Sequence, residues 1–234
     1  MGKKVKTLLF SLMPIALFFI AQIIGSGGYV IGTGLLTGFF HNVGWGKKLL
    51  DFLDQEGIYL LSIISYLLFF LPAIFWYKNR RKSAARKNMT ILTWISLALT
   101  GILLQIGISY LLNILYIIFP DFMNHYTEIM ENLGMGSPTL LSVIYVVAVA
   151  PVTEELLTRG LCLGILKNSF PFWAANLIQA FYFGALHMNL VQGAYAFLMG
   201  LVLGYVAHRY GTLKSSIYVH FIINLSGQLL SLLR

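Results

Sequence analysis

The stretch Ala150-Pro151-Val152-Thr153-Glu154-Glu155-Leu156-Leu157-Thr158-Arg159-Gly160 places two adjacent carboxylates and a guanidinium inside an apolar segment long enough to span a membrane. Ionisable side chains at such depth are costly and usually mark a functional site. The other six acidic residues fall in two polar segments, at positions 51–56 and 121–131. The Glu-Glu stretch is therefore the first candidate for chemistry.

The composition around this stretch is that of a membrane protein. The 234 residues are 58% hydrophobic and 10% charged, with a mean hydropathy of +0.80. The apolar runs are continuous rather than alternating, which favours helices over a barrel. We expect an all-α, polytopic transmembrane helix bundle with a polar intramembrane cavity and no soluble domain. Cys162 is the only cysteine, so an intramolecular disulfide is excluded.

About seven spans are predicted, since each needs about 20 apolar residues. Between the first two we expect a Gly-rich stretch, residues 25–34, and a loop that carries Lys47, Lys48 and the acidic residues of 51–56. Pro14 is expected to kink the first span. The predicted spans lie at about 7–24, 58–77, 91–119, 139–166, 172–187, 191–207 and 213–233.

The net charge of +8 is interpreted as basic flanks of these spans rather than as a nucleic-acid surface. With the N-terminus inside, the cytoplasmic segments hold 12 of the 16 basic residues, including the run 78–87. The outside segments then hold Lys47, Lys48 and Arg234. This bias predicts a cytoplasmic N-terminus and an external C-terminus.

Further polar side chains recur at helical spacing in the later segments. His220 and Asn224 are four residues apart and share one helix face, as Glu155 and Arg159 do. We expect Glu155 and Arg159 to form an ion pair. That pairing leaves Glu154 without a local partner, so Glu154 is the candidate for a functional carboxylate.

The depths of these residues along their helices do not match fully. Counted from the turn near residues 168–171, Glu154 and His187 lie roughly 20–25 Å along their helices, whereas His220 lies roughly 10–15 Å into the last span. A tilted or broken helix is needed to bring them level. Pro151 lacks a backbone N–H, and we expect it to break or restart the helix so that Glu154 stands in a first helical turn.

Other intramembrane peptidase signatures are missing from the sequence. There is no H-E-x-x-H pair for zinc, and no aspartate lies in a predicted span to form an aspartyl dyad. The one glycine-flanked serine, Ser26, does not form a nucleophile elbow.

Three motifs in order carry a family resemblance: Glu154-Glu155-x-x-x-Arg159, Phe183-x-x-x-His187 and His220-x-x-x-Asn224. On successive apolar segments, this order resembles the CPBP family of CAAX proteases and bacteriocin-processing enzymes, also called the Abi family. The match covers about residues 139–233, so 139–234 is the expected catalytic core, and 1–138 holds spans and loops without a motif. Thr158 departs from the bulky or aromatic residue common at that position.

The resemblance implies an intramembrane endopeptidase whose cavity opens toward the cytoplasmic side. Glu154 and His187 would activate the attacking water, His220 and Asn224 would bind the oxyanion, and Glu155 and Arg159 would support the site. A second mechanism stays open, in which Glu154, His187 and His220 hold a divalent metal such as zinc. The glutamate route is favoured because the amide oxygen of Asn224 is an uncommon zinc ligand.

The substrate implied by the resemblance is a peptide or protein precursor, with or without a lipid anchor. CAAX-type processing and the processing of bacteriocin or pheromone leaders both fit the resemblance. We expect a multi-pass protein of a bacterial cell membrane whose partners are this substrate and the lipid bilayer. The alternative is a non-catalytic membrane scaffold or a bacteriocin self-immunity protein of the same fold. A transporter is disfavoured because no inverted repeat is visible.

Overall fold

Long apolar runs of the sequence form long helices in the computed structural model, which describes residues 1–40, 43–80, 88–132 and 138–232. No β-strand occurs in these ranges, so the predicted all-α fold is confirmed. The helices are α1 (Lys3–Ser11), α2 (Met13–Phe40), α3 (Gly44–Arg80), α4 (Ile91–Ile118), α5 (Pro120–Asn132), α6 (Leu140–Leu166), α7 (Phe172–Ala185), α8 (Leu190–Tyr210) and α9 (Leu213–Ser231).

Five stretches are long and apolar enough to cross a membrane: α1 with α2, then α3, α4, α6 and α8. The chain is a multi-pass membrane protein. The other two of the seven predicted spans are also helices, but α7 has only 14 residues and so rises about 21 Å, short of the bilayer core. Helix α9 packs on α4 and α8 inside the bundle.

The predicted irregular segments before and after α3 are more helical than expected. The Gly-rich stretch 25–34 continues α2, and the segment that carries Lys47, Lys48 and the acidic residues of 51–56 forms the first turns of α3 rather than a loop. The loop prediction was wrong because helix pairing outweighed charge: Tyr29 of α2 donates a hydrogen bond to the Leu53 carbonyl at 3.0 Å. The first span was expected to end at residue 24 or to reach residue 31, and the helix continues beyond both. The expected break near Pro14 occurs at Leu12, between α1 and α2.

The bundle has two chemically different ends. Thr7 bonds Ser169 at 2.7 Å, and the Arg80 guanidinium stacks over Phe10 at 5.1 Å, so the start of α1 meets the end of α3 and the turn after α6. We call this the basic end; residues 81–87 of the predicted basic run lie outside the described residues. The opposite end, with the first turns of α3 and with α5, is called the acidic end.

Helices α7 and α8 form a tightly packed hairpin. A Cβ on Gly184 would lie 2.6 Å from the Gly193 carbonyl, and one on Gly200 would lie 3.0 Å from Ala180. Small residues at such contacts let helix backbones approach closely in a membrane. The hairpin begins and ends at the basic end, and its tip places His187 inside the bundle.

Helix α6 crosses the middle of the bundle and is not broken at Pro151, contrary to the sequence expectation. Two π-helical segments, Tyr145–Val149 and Leu156–Cys162, flank the α-helical segment Ala150–Glu155. The first widened segment ends at Val149, two residues before Pro151, and accommodates the missing N–H of the proline without a break. Such widened turns occur frequently at functional sites.

Candidate active site

A buried ion pair anchors the site. Arg159 Nη1 lies 2.9 Å from Glu155 Oε1, and neither side chain is exposed. The predicted i,i+4 pair is therefore present. The same oxygen lies 3.1 Å from His220 Nδ1. Because an ionised carboxylate only accepts hydrogen bonds, His220 Nδ1 carries a hydrogen and its Nε2 is directed elsewhere.

Arg159 is held on several sides. Its Nη1 donates to Thr158 Oγ1 at 2.6 Å and its Nη2 to the Gly200 carbonyl at 3.3 Å. Its Cζ lies 4.3 Å above the centre of the Phe183 ring. Thr158, the residue that departs from the family pattern, is thus part of the ion-pair network, and Phe183 gives the guanidinium an aromatic floor.

Glu154 faces a cavity rather than the protein core. Its side chain is 16% exposed, and its Oε2 lies 3.8 Å from His220 Nε2. Tyr66 of α3 donates a hydrogen bond to its Oε1 at 3.2 Å. His220 therefore stands between the two glutamates, with Glu155 at one ring nitrogen and Glu154 near the other.

His187 is oriented by its own helix end. Its Nδ1 lies 2.8 Å from the Phe183 carbonyl, which can only accept, so Nδ1 carries the hydrogen and the neutral ring has a free lone pair on Nε2. The Phe183 ring meets the His187 ring edge-on at 5.0 Å and the His220 ring at 5.8 Å. Phe183 thus packs against Arg159 and both histidines.

Asn224 is positioned by Pro151. Asn224 Nδ2 donates to the Val146 carbonyl at 2.7 Å. In the π-helical segment the N–H of Ala150 bonds Tyr145, and the next N–H, five residues after Val146, is missing because residue 151 is proline. The proline therefore leaves the Val146 carbonyl free to hold Asn224, which keeps a second amide hydrogen for the cavity.

One cavity of about 610 Å³ brings the predicted residues together: Glu154, His187, His220 and Asn224 all line it. In the described residues Glu154 makes no hydrogen bond to His187 or Asn224, so these groups meet across the cavity. From the site the cavity extends to Pro138, Gln192 and Gln228, which lie toward the acidic end.

The cavity direction conflicts with one pair of expectations. The charge bias predicts that the basic end is cytoplasmic, and the resemblance implies a cavity open to the cytoplasm. Since the cavity runs away from the basic end, these two expectations cannot both hold.

The metal alternative does not fit the side chains as they stand. No group of three His, Cys, Asp or Glu residues that could hold a metal ion is present in the described part of the chain. Of the proposed ligands, Glu154 Oε2 and His220 Nε2 lie 3.8 Å apart, whereas His187 does not join them in a group of three within the described residues, although its carbonyl-bonded Nδ1 leaves Nε2 available. We therefore derive no catalytic step through a metal.

Sequence reasoning missed the contribution of the N-terminal helices. Tyr66 holds Glu154, and Gln22, from the motif-free half, lines the cavity with Tyr66 and the later Gln192 and Gln228. The sequence signal that could have identified Gln22 and Tyr66 is the one that identified Glu154, namely a polar side chain in the middle of an apolar run. A tyrosine within a span is ambiguous because tyrosines also mark membrane interfaces.

Comparison with known proteins agrees with the motifs. Residues 136–226 match the family model described as type II CAAX prenyl endopeptidase Rce1-like. No curated protein and no solved structure matches the chain.

Proposed function

We propose that this membrane protein hydrolyses a peptide bond of a membrane-associated peptide or protein precursor by a glutamate-activated water. The match of residues 136–226 to a model of a protease family supports the proposal. The observation that carries the proposal is the single cavity shared by Glu154, His187, His220 and Asn224. Peptide hydrolysis needs a base, an acid and oxyanion donors, and this set provides all three.

Glu154 is the base in this mechanism. Tyr66 fixes one oxygen of its carboxylate, and the other oxygen is free to take a proton from a water in the cavity. The lone pair on His187 Nε2 accepts the second hydrogen bond of that water and so orients it toward the scissile carbonyl. The attack forms a carbon–oxygen bond and moves the carbonyl electron pair onto oxygen.

His220 and Asn224 stabilise the resulting oxyanion. Glu155 holds His220 through Nδ1, so Nε2 is the ring nitrogen on the side of Glu154 and the cavity. Asn224 lines the same cavity and has a second amide hydrogen besides the one that it donates to Val146. Glu154 then passes its proton to the leaving nitrogen, the electron pair of the oxyanion reforms the carbonyl and the carbon–nitrogen bond breaks. A carboxylic acid and an amine leave, and the proton of the acid passes to the amine at neutral pH.

Glu155 and Arg159 act through His220. Glu155 holds the imidazole by Nδ1, and Arg159 balances the buried charge of Glu155. These two are positioning residues, since neither is exposed to the cavity.

The test compares Glu154→Gln and His187→Ala with Asn168→Ala, which changes an exposed residue of the turn after α6 outside the cavity. Membrane and secreted peptides from cells with and without the wild-type protein identify a cleaved precursor, and each variant is then assayed on it. We expect at least a 100-fold loss of cleavage for Glu154→Gln and no change for the control. If both site variants retain wild-type function in cells at equal abundance, the peptidase proposal fails and a non-catalytic scaffold or immunity protein is favoured.

A further inference from the structure

The direction of the cavity bears on the side of the membrane from which the substrate enters. The site lies near the level of His220, two turns into α9 from the basic end, and the cavity continues to Gln228 in the last turns of that helix. Pro138, which is exposed and precedes α6, lies at the same far end. The entrance is therefore at the acidic end.

The two ends differ sharply in charge. Among the described residues, eight basic residues and no acidic residue lie at the basic end: Lys3, Lys4, Lys6, Lys78, Arg80, Lys167, Arg209 and Lys214. The acidic end carries Lys47 and Lys48 but all six acidic residues that lie outside the site. Cytoplasmic segments of membrane proteins carry an excess of Lys and Arg. An asymmetry this large places the basic end in the cytoplasm.

Resting on the function proposed above, we propose that the cavity opens on the extracytoplasmic face and takes a positively charged peptide segment on that side of the membrane. A prenylated C-terminus in the cytoplasm does not reach such an entrance. The substrate class is then an exported peptide, or the external segment of a membrane-bound precursor.

The acidic residues lie beside the entrance. Glu56 accepts a hydrogen bond at 2.7 Å from Thr139, which directly follows Pro138 of the cavity wall. Helix α5 lies there as well, because Tyr126 is next to Tyr195, another residue of the wall. The exposed face of α5 carries Asp121, Glu128 and Glu131. A rim of one sign raises the local concentration of ligands of the opposite sign.

The wall inside this rim is largely apolar and carries four glutamine side chains among its aromatic and aliphatic residues. Each glutamine has both a donor and an acceptor. Such groups pair with an extended peptide backbone whatever its side chains are, and the apolar surface around them accommodates apolar side chains of the same peptide. The four are Gln22, Gln105, Gln192 and Gln228.

Single cysteines test the side of the entrance. Labelling of Gln228→Cys measures access to the cavity, and labelling of Thr127→Cys measures access to the exposed face of α5. Labelling of Asn168→Cys measures access to the turn at the basic end. Wild type serves as the blank, because Cys162 is buried. Intact cells receive a membrane-impermeant maleimide, with permeabilised cells as the comparison. We expect the first two variants to be labelled in intact cells and Asn168→Cys only after permeabilisation. The reverse pattern overturns the proposal, as does failure of Gln228→Cys to label from outside.

A matched pair of fluorogenic peptides tests the charge preference. Both have one apolar core, flanked by two lysines or by two glutamates, and the enzyme is reconstituted in vesicles. Neutralising Asp121, Glu128 and Glu131 together should lower kcat/KM for the lysine peptide about 3- to 10-fold at low salt and much less at 0.5 M salt. Neutralising Lys3, Lys4 and Lys6 is the control. An equal preference for both peptides in the wild type refutes the charge assignment.

The outcomes separate this inference from the proposed function. If the labelling places the entrance outside but Glu154→Gln cleaves normally, the peptidase mechanism fails and the orientation stands. If Glu154→Gln is inactive but Gln228→Cys labels only after permeabilisation, the mechanism stands and the extracytoplasmic substrate is excluded.

Discussion

Replacing Glu155 by leucine separates the structural role of the ion pair from its role in positioning His220. The change leaves the Arg159 guanidinium, which has no exposed surface, without its counter-charge. Breaking a buried pair from one side typically costs about 3–5 kcal/mol. For a chain of this length, that corresponds to a loss of roughly 6–20 °C in Tm. The remaining bonds of Arg159 to Thr158 and Gly200 do not supply a negative charge.

The double variant Glu155→Leu/Arg159→Met removes both charges and keeps most of the volume. Replacing a whole buried pair by apolar side chains is often neutral for stability, so we expect its Tm to return to within about 4 °C of the wild type. Cleavage should stay at least 10-fold below wild type, because His220 loses its Nδ1 partner, a bond to a charged group worth about 1.5–3 kcal/mol.

The assay is thermal unfolding in detergent followed by cleavage of the identified precursor, with Arg159→Met as the second single variant. The reasoning is refuted if the double variant unfolds as early as Glu155→Leu, since the cost would then not be an unpaired charge. It is equally refuted if the double variant cleaves at the wild-type rate, since Glu155 would then not position His220.

Three further outcomes are expected from the site geometry. Pro151→Ala should lower kcat about 5- to 10-fold without loss of Tm, because the new N–H competes with Asn224 for the Val146 carbonyl, at a cost of about one hydrogen bond. Tyr66→Phe should lower kcat about 10-fold with little change in KM, because Glu154 loses a donor to its carboxylate. The metal-free enzyme should cleave at the full rate in a chelator, as measured on protein whose metal content has been determined.

Matched variants make these outcomes decisive. Pro72→Ala changes a proline inside α3 that does not line the cavity, and Tyr110→Phe changes an exposed tyrosine of α4; neither should alter kcat. Equal losses in Pro72→Ala and Pro151→Ala would remove the special role of Pro151. Loss of activity in chelator, restored by zinc, would contradict the metal-free mechanism.

The motif residues could be predicted to meet because helical periodicity is local. The i,i+4 spacing of Glu155 and Arg159 fixes their pairing within one helix, and the pair is present. The depth difference between Glu154 and His220 is reduced by the π-helical segment Leu156–Cys162, since a wider helix rises less per residue. The sequence-based depths assumed a uniform rise of 1.5 Å per residue and therefore did not include this shortening of the helix.

Contacts between residues far apart in the chain could not be predicted from the sequence. The bond between Tyr66 and Glu154 joins residues 88 positions apart, and no spacing rule links them. The role of Pro151 was also misjudged, because its effect depends on Asn224 reaching the Val146 carbonyl from α9. Helix α2 shows the same limit: its glycines remain helical because α3 packs along it.

The two widened segments of α6 also affect how this helix is compared with related ones. A π-helical turn corresponds to one residue inserted into an α-helix, so the segment Ala150–Glu155 is offset in register from the residues on both sides. Deleting one residue from Tyr145–Val149 would convert this turn to a regular α-helix and leave the direction of Glu154 relative to the start of α6 largely unchanged. An alignment of homologous helices therefore has to allow a one-residue gap on either side of the Glu-Glu pair. A search that fixes the number of residues between this pair and the positions before and after it will misalign relatives that lack one of the π-helical turns.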